Sequence, residues 1–140
     1  MHISILSSGT ISIYGTYARV LLDSGATHSF ISVLFGLRLV RLPSALPYDL
    51  SISTPMGDAV RVNSYYVGCE LSLGGKTLLV DLVPLPMVDF DIILGLDFLT
   101  GYHAVIDCLK KNVTFRFPYG EGVKFYEEKK VGKCRLIPCL

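Results

Sequence analysis

Apolar and polar residues alternate with period two along much of the chain, in Ile3-Ser4-Ile5, Ile11-Ser12-Ile13, Leu50-Ser51-Ile52, Leu71-Ser72-Leu73 and Val113-Thr114-Phe115-Arg116-Phe117. Successive side chains of a strand point to opposite faces, so this pattern specifies strands with one buried face. Turn signals separate the runs at Ser8-Gly9, Gly74-Gly75, Lys110-Lys111-Asn112 and Gly120-Glu121-Gly122, as hairpin loops do. Prolines such as Pro84 and Pro86 fall where a run ends, since they cannot donate to a central ladder. A helical period follows only Ser29 (Phe30, Ile31, Val33, Leu34, Leu37) and Gly95 (Leu96, Phe98, Leu99, Tyr102). Two short helices are predicted there, the first capped by Ser29 or Ser32 and the second closed by Gly101. The expected fold is mostly β.

Composition narrows the function classes. The chain has 140 residues, 51% hydrophobic and 18% charged, which makes one compact domain feasible without staples and excludes disorder. Thirteen basic residues oppose twelve acidic ones and are scattered, so neither nucleic acid nor an anionic membrane is an expected partner. No apolar run is long enough for a membrane helix, and Met1 to Gly15 lack the pattern of a secretory signal. An intracellular, cytoplasmic setting is the expectation.

Cys69, Cys108, Cys134 and Cys139 form no CxxC pair, so no metal site and no cofactor is expected. They read as reduced thiols, Cys69 and Cys108 in the core. The Asn112-Val113-Thr114 sequon is read as chance without a signal peptide. The domain is expected over 1–130, with 131–140 as a tail, the stub of a linker to a following polyprotein domain.

The segment Val20-Leu21-Leu22-Asp23-Ser24-Gly25-Ala26-Thr27 reads as a buried strand ending in a carboxylate. Burying a carboxylate is costly unless it is paired and hydrogen-bonded, so Asp23 is poor packing material. The small residues after it let a second backbone approach. The composition suits a carboxylate at the floor of a cleft, although Asp-Ser-Gly is also ordinary turn chemistry. A second segment, Asp89-Phe90-Asp91-Ile92-Ile93-Leu94-Gly95-Leu96-Asp97-Phe98-Leu99, repeats the pattern of buried strand, glycine and short helix. Between the two, Ile52 to Val60 reads as strand, turn, strand, with Pro55 and Gly57 where a tight turn favours them.

The two segments together resemble a retropepsin, the single-domain aspartic protease of retroviruses and LTR retrotransposons, and most closely the gypsy-type plant form. The resemblance is carried by Leu21 to Ser32, by Asp91 to Leu99, and by Val105-Ile106-Asp107 and Val113 to Pro118. It implies a closed, barrel-like acid-protease fold. It also implies that Asp23, Ser24 and Gly25 form the catalytic triplet and that Ala26 and Thr27 contact substrate. Ile93, Leu94 and Gly95 would pass behind the active-site loop, and Pro55, Met56 and Gly57 would form a flap over the substrate; an ordinary surface hairpin is the other reading of that turn.

Aspartic proteases need two carboxylates that share a proton. No Asp other than Asp23 is followed by Ser/Thr-Gly, so one chain carries half a site and a homodimer is expected. The implied activity is endopeptidase cleavage of a retrotransposon polyprotein, bound as an extended peptide within a retrotransposon particle. A cellular retropepsin-like protease and a non-catalytic dimerisation or peptide-binding module are the competing readings. Asp97 and Asp107 read as structural, at a helix start and a strand end. A Ser/His/Asp hydrolase built on Ser24 or Ser29 with His28 is disfavoured, because sequence neighbours seldom supply a triad.

Overall fold

The computed structural model describes residues 6–53, 57–118 and 120–128. Its first hairpin joins β1 (Leu6–Ile13) to β2 (Thr16–Asp23). The turn between them is Tyr14-Gly15, with φ of 47° and 77°, the left-handed pair that a two-residue hairpin loop requires. The turn expected at Ser8-Gly9 is therefore not there: Gly9 lies inside β1, paired with Val20. The absent side chain serves packing, since a Cβ on Gly9 would sit 2.5 Å from the Phe125 ring.

After the loop that follows β2 come β3 (Phe30–Ser32) and the single-turn helix α1 (Val33–Gly36). The first helix was expected to take in Phe30 and Ile31, but both are strand residues, buried between β6 (Lys76–Leu85) and β7 (Ile92–Leu94). A short apolar run buried on both faces has no distinguishing period, so pairing partners decide it. Of the two expected caps, Ser32 serves, its Oγ accepting the Phe35 N–H at 3.3 Å. The second helix, α2 (Leu96–Gly101), is where the pattern placed it. Gly101 is its last residue, followed by Tyr102 as cap and by His103 at φ 48°.

A long hairpin, β4 (Ser44–Ser53) with β5 (Ala59–Leu73), occupies the middle of the chain. Six strands, β1, β2, β7, β3, β6 and β5, pair in that order, and β5 pairs back onto β1 through Ser12↔Ser72 and Ile13↔Leu71. The result is a closed ring from which β4 hangs on β5, a barrel-like sheet without a strict barrel's regularity. Two pairings in the ring are parallel, β2 with β7 and β3 with β6. β5 carries a bulge at Val67-Gly68; Gly68 (φ 62°) donates its N–H to Asp81 Oδ1 at 2.8 Å, and Arg41 Nη1 donates to its carbonyl at 2.9 Å.

β8 (Val105–Asp107), β9 (Asn112–Phe115) and β10 (Val123–Tyr126) form a separate three-stranded sheet. Val113, Phe115, Val123 and Phe125 pack from it into the main core with Ile11, Ile13, Leu71 and Leu78. A second cluster, containing Ala26, Phe30, Ile52, Val62, Val83 and Ile93, lies between the hairpin and the loop after β2. Cys69 is fully buried as expected. Cys108 is not a core thiol: it sits half-buried in the turn after β8 and is disulfide-bonded. A turn position gives it no apolar shell to enter. Among the described residues no helix is long and apolar enough to cross a membrane. The expected tail, 131–140, lies outside the described residues.

Candidate active site

Asp23 closes β2, and three apolar residues deliver it there. Val20, Leu21 and Leu22 pair in parallel with Ile92, Ile93 and Leu94 of β7, so the strand's end is held from the side as well as from the hairpin. Only 9% of Asp23 is exposed. The chain then turns at once: Gly25 donates its N–H to Asp23 Oδ1 at 2.8 Å, and Ala26 N–H reaches Asp23 O at 3.2 Å. A carboxylate that accepts a backbone N–H at the mouth of a turn offsets part of its desolvation. The turn chemistry expected of Asp-Ser-Gly is thus present, and it fixes a largely buried carboxylate.

The β7–α2 junction passes directly behind this loop. Leu96 N–H donates to Ala26 O at 2.7 Å, and a Cβ on Gly95 would lie 2.2 Å from His28 O and 2.6 Å from Ala26 O. Only glycine fits between the two backbones. Ile93 and Leu94, just before it, pair with Leu21 and Leu22 of the strand that leads into the loop. Asp91 anchors the entry to β7: its Oδ2 accepts the Arg19 N–H at 2.8 Å, its N–H reaches Arg19 O, and its carbonyl accepts the Ser32 N–H.

Ser29 was read as a capping candidate and as a disfavoured nucleophile. It is 0% exposed, donates its hydroxyl to Asp97 Oδ1 at 2.7 Å, and accepts the Gly95 N–H at 3.0 Å. Spaced 68 positions apart, Ser29 and Asp97 left no local signal that pairs them. Asp97 also accepts the Phe98 N–H at the start of α2, the structural place expected for it. Asp107 ends β8 and accepts the Leu109 and Lys110 N–H groups, again as expected. A triad through Ser29 fails on geometry, since its buried hydroxyl is committed to Asp97 and Gly95. His28 is exposed, its Nδ1 lying 2.9 Å from Thr27 Oγ1.

The substrate-contact candidates divide. Ala26 is buried in the cluster under the hairpin, Thr27 is exposed beside it, and Gly57, at φ 94°, lies at the hairpin's far end next to the Ser53↔Ala59 pair. Pro55 and Met56 lie outside the described residues. Ser24 is half-exposed between Asp23 and Gly25. The hairpin packs on the loop through Ile52 and Val62, which share a cluster with Ala26 and Ile93. Among the described residues no group of three or more His, Cys, Asp or Glu side chains gathers as metal ligands would.

No curated protein matches the chain by sequence. Among solved structures, the fold is similar to the retroviral protease-like domain of Ddi1 from Leishmania major, with a TM-score of 0.59 and 16% identity over 93% of this chain and 100% of that one. Identity that low speaks for the fold, which is retropepsin-like. The family model described as retroviral aspartyl protease matches residues 4–120, a span that includes Asp23, the hairpin and the β7–α2 junction, and the chain accordingly belongs to the retroviral aspartyl protease family.

Proposed function

We propose that the chain is an aspartic endopeptidase that works as a homodimer, one Asp23 from each copy meeting at the two-fold axis. The observation that carries this is Asp23 itself, a largely buried carboxylate fixed at the mouth of a turn beneath a long hairpin, with no second Asp-Ser/Thr-Gly in the chain. Two carboxylates at close range cannot both ionise, so the pair holds one shared proton. The ionised member takes a proton from a bound water, which attacks the peptide carbonyl. The protonated member donates to the developing oxyanion. Ser24 and Gly25 hold the loop, while Ala26, Thr27, Pro55, Met56 and Gly57 contact an extended peptide laid between floor and flap. Ile93, Leu94 and Gly95 support the loop from behind.

The substrate we propose is a retrotransposon polyprotein, on the resemblance of Leu21 to Ser32 and Asp91 to Leu99 to the gypsy-type blocks. Likeness of fold to the Ddi1 domain supports a second reading, a cellular protease of the same chemistry. The test is hydrolysis of a peptide library at pH 4 to 6 by protein whose mass is measured by sedimentation. Dimeric protein should cleave, and Asp23→Asn should abolish turnover while keeping the dimer. A dimer that cleaves nothing, or turnover that survives Asp23→Asn, overturns the proposal in favour of a binding module or another chemistry.

A further inference from the structure

A groove of about 240 Å3 runs between the β4–β5 hairpin and the loop after Asp23. That is below the roughly 300–1,000 Å3 of a small-molecule site, and fits one long side chain. Leu46, Leu50 and Ile52 line it from one face of β4, with Val62 from β5 and Val83 from β6. Ile52, Val62 and Val83 belong to the cluster that contains Ala26, so the groove opens off the floor on which a peptide would lie.

Its polar lining is unlike these walls. Asp81 and Asp97 both border it, with His28 and Ser29, and no lysine or arginine does. Their segments are neighbours: Val83 N–H donates to Ser29 O at 3.0 Å, Ser29 bonds Asp97, and Asp81 lies two residues before Val83 on the same face. Each carboxylate spends Oδ1 on a structural bond, Asp81 on Gly68 N–H and Asp97 on Ser29 Oγ and Phe98 N–H. No cation pairs with either among the described residues. A trough with walls of Leu, Ile and Val beside Tyr48 and Tyr65, bordered by two exposed carboxylates and no lysine or arginine, matches a side chain with a long aliphatic stem and a cationic head.

We infer that this groove is a specificity subsite for a lysine or arginine side chain of the substrate peptide, with Asp81 and Asp97 as its specificity-determining residues. The inference rests on the endopeptidase reading for the peptide's presence, and it names the class of peptide. Walls of Leu, Ile and Val take the methylenes, and the head replaces water beside the carboxylates. Neutral isosteres would keep the walls and lose the head's partners.

Binding of fluorescein-labelled peptides at pH 7, each with lysine, norleucine or glutamate at one position in turn, tests this by anisotropy on the Asp23→Asn chain. At one position lysine should bind about fivefold tighter than norleucine, the upper range for a part-exposed ion pair, and glutamate weaker than both. Asp81→Asn and Asp97→Asn, which preserve the Oδ1 acceptors, should each bring the lysine-to-norleucine ratio towards one. In the unsubstituted groove the ratio should also shrink as salt rises from about 50 to 500 mM. A ratio of one at every position, or one indifferent to both substitutions and to salt, overturns the assignment. Asp23-dependent hydrolysis with a ratio of one sinks the subsite alone, whereas a lysine preference without hydrolysis sinks the endopeptidase reading alone. Failure of every peptide to bind overturns both.

Discussion

The hydroxyl of Ser29 bridges to the carboxylate of Asp97 over 2.7 Å, and with the Gly95 N–H at 3.0 Å it ties the loop after Asp23 to the start of α2. Ser29→Ala removes a buried acceptor and leaves Gly95 N–H with no partner. An unsatisfied buried donor costs roughly 1–3 kcal/mol, so a fall of about 2 kcal/mol in urea-unfolding stability is expected. A fall below about 0.5 kcal/mol, within the range of ordinary surface changes, shows that the bridge holds nothing.

Gly95→Ala meets backbone on two sides, His28 O at 2.2 Å and Ala26 O at 2.6 Å. Backbone cannot swing aside as a side chain tip does, so the loop or β7 must shift. The expected loss is about 3 kcal/mol or more, at the top of the overpacking range. Gly101→Ala is the control, because nothing lies within 4 Å of its Cβ position. There the helix propensity of alanine should stabilise by up to about 1 kcal/mol, and thermal denaturation of the two variants should diverge in sign.

His103 follows the cap of α2 with φ of 48°, a left-handed conformation that costs a side-chain-bearing residue roughly 1–2 kcal/mol. Glycine is the residue that ends helices this way. His103→Gly should raise stability by about 0.5–1 kcal/mol, after its greater unfolded-state freedom is subtracted. No gain, or a loss, in calorimetric unfolding would show that the imidazole is held by something worth more than that strain.

Burial pushes the Cys69 thiol up to about 11 from an ordinary value of 9.0, with the nearby Arg41 opposing the rise. The folded state thus keeps the proton that the unfolded chain gives up first. The sign follows: the contribution is full below pH 9, and is lost as pH rises towards 11. About 2–3 kcal/mol of stability should disappear across that window. Unfolding of the protein and of Cys69→Val, followed from pH 8 to 11, isolates it; parallel curves would mean that the thiol does not titrate with folding.

Many strands were legible because burial on one face imposes a period of two, and the second helix because its apolar residues recur at helical spacing, whereas the pairing of Val20 to Leu22 with Ile92 to Leu94 had no local signal. Phe30 and Ile31 were misread as helix because they are covered on both faces, by Val83 and Ile93, and such residues carry no period. Gly9 was misread as a turn because its purpose, room for Phe125, is set by a strand far along the chain. Asp23 was readable as a candidate because a carboxylate after three apolar residues has little other use. Asp81 and Asp97 gave no hint of sharing a groove. Within the ring, the pairings of β3 with β6 and β7 bring their segments together, and no local pattern encodes which strands become neighbours.

That ring also sets an order of events. Leu22 is held by Leu94 in a parallel pairing, and a parallel pair cannot form until the whole intervening crossover exists. Contacts so distant in sequence are costly to close and tend to form late. As a ribosome delivers the chain from its N-terminus, the first hairpin can fold early, yet Asp23 gains its support only after β7 has emerged. The fold therefore acts as a timer, withholding the lateral support of Asp23 until most of the domain has been synthesised.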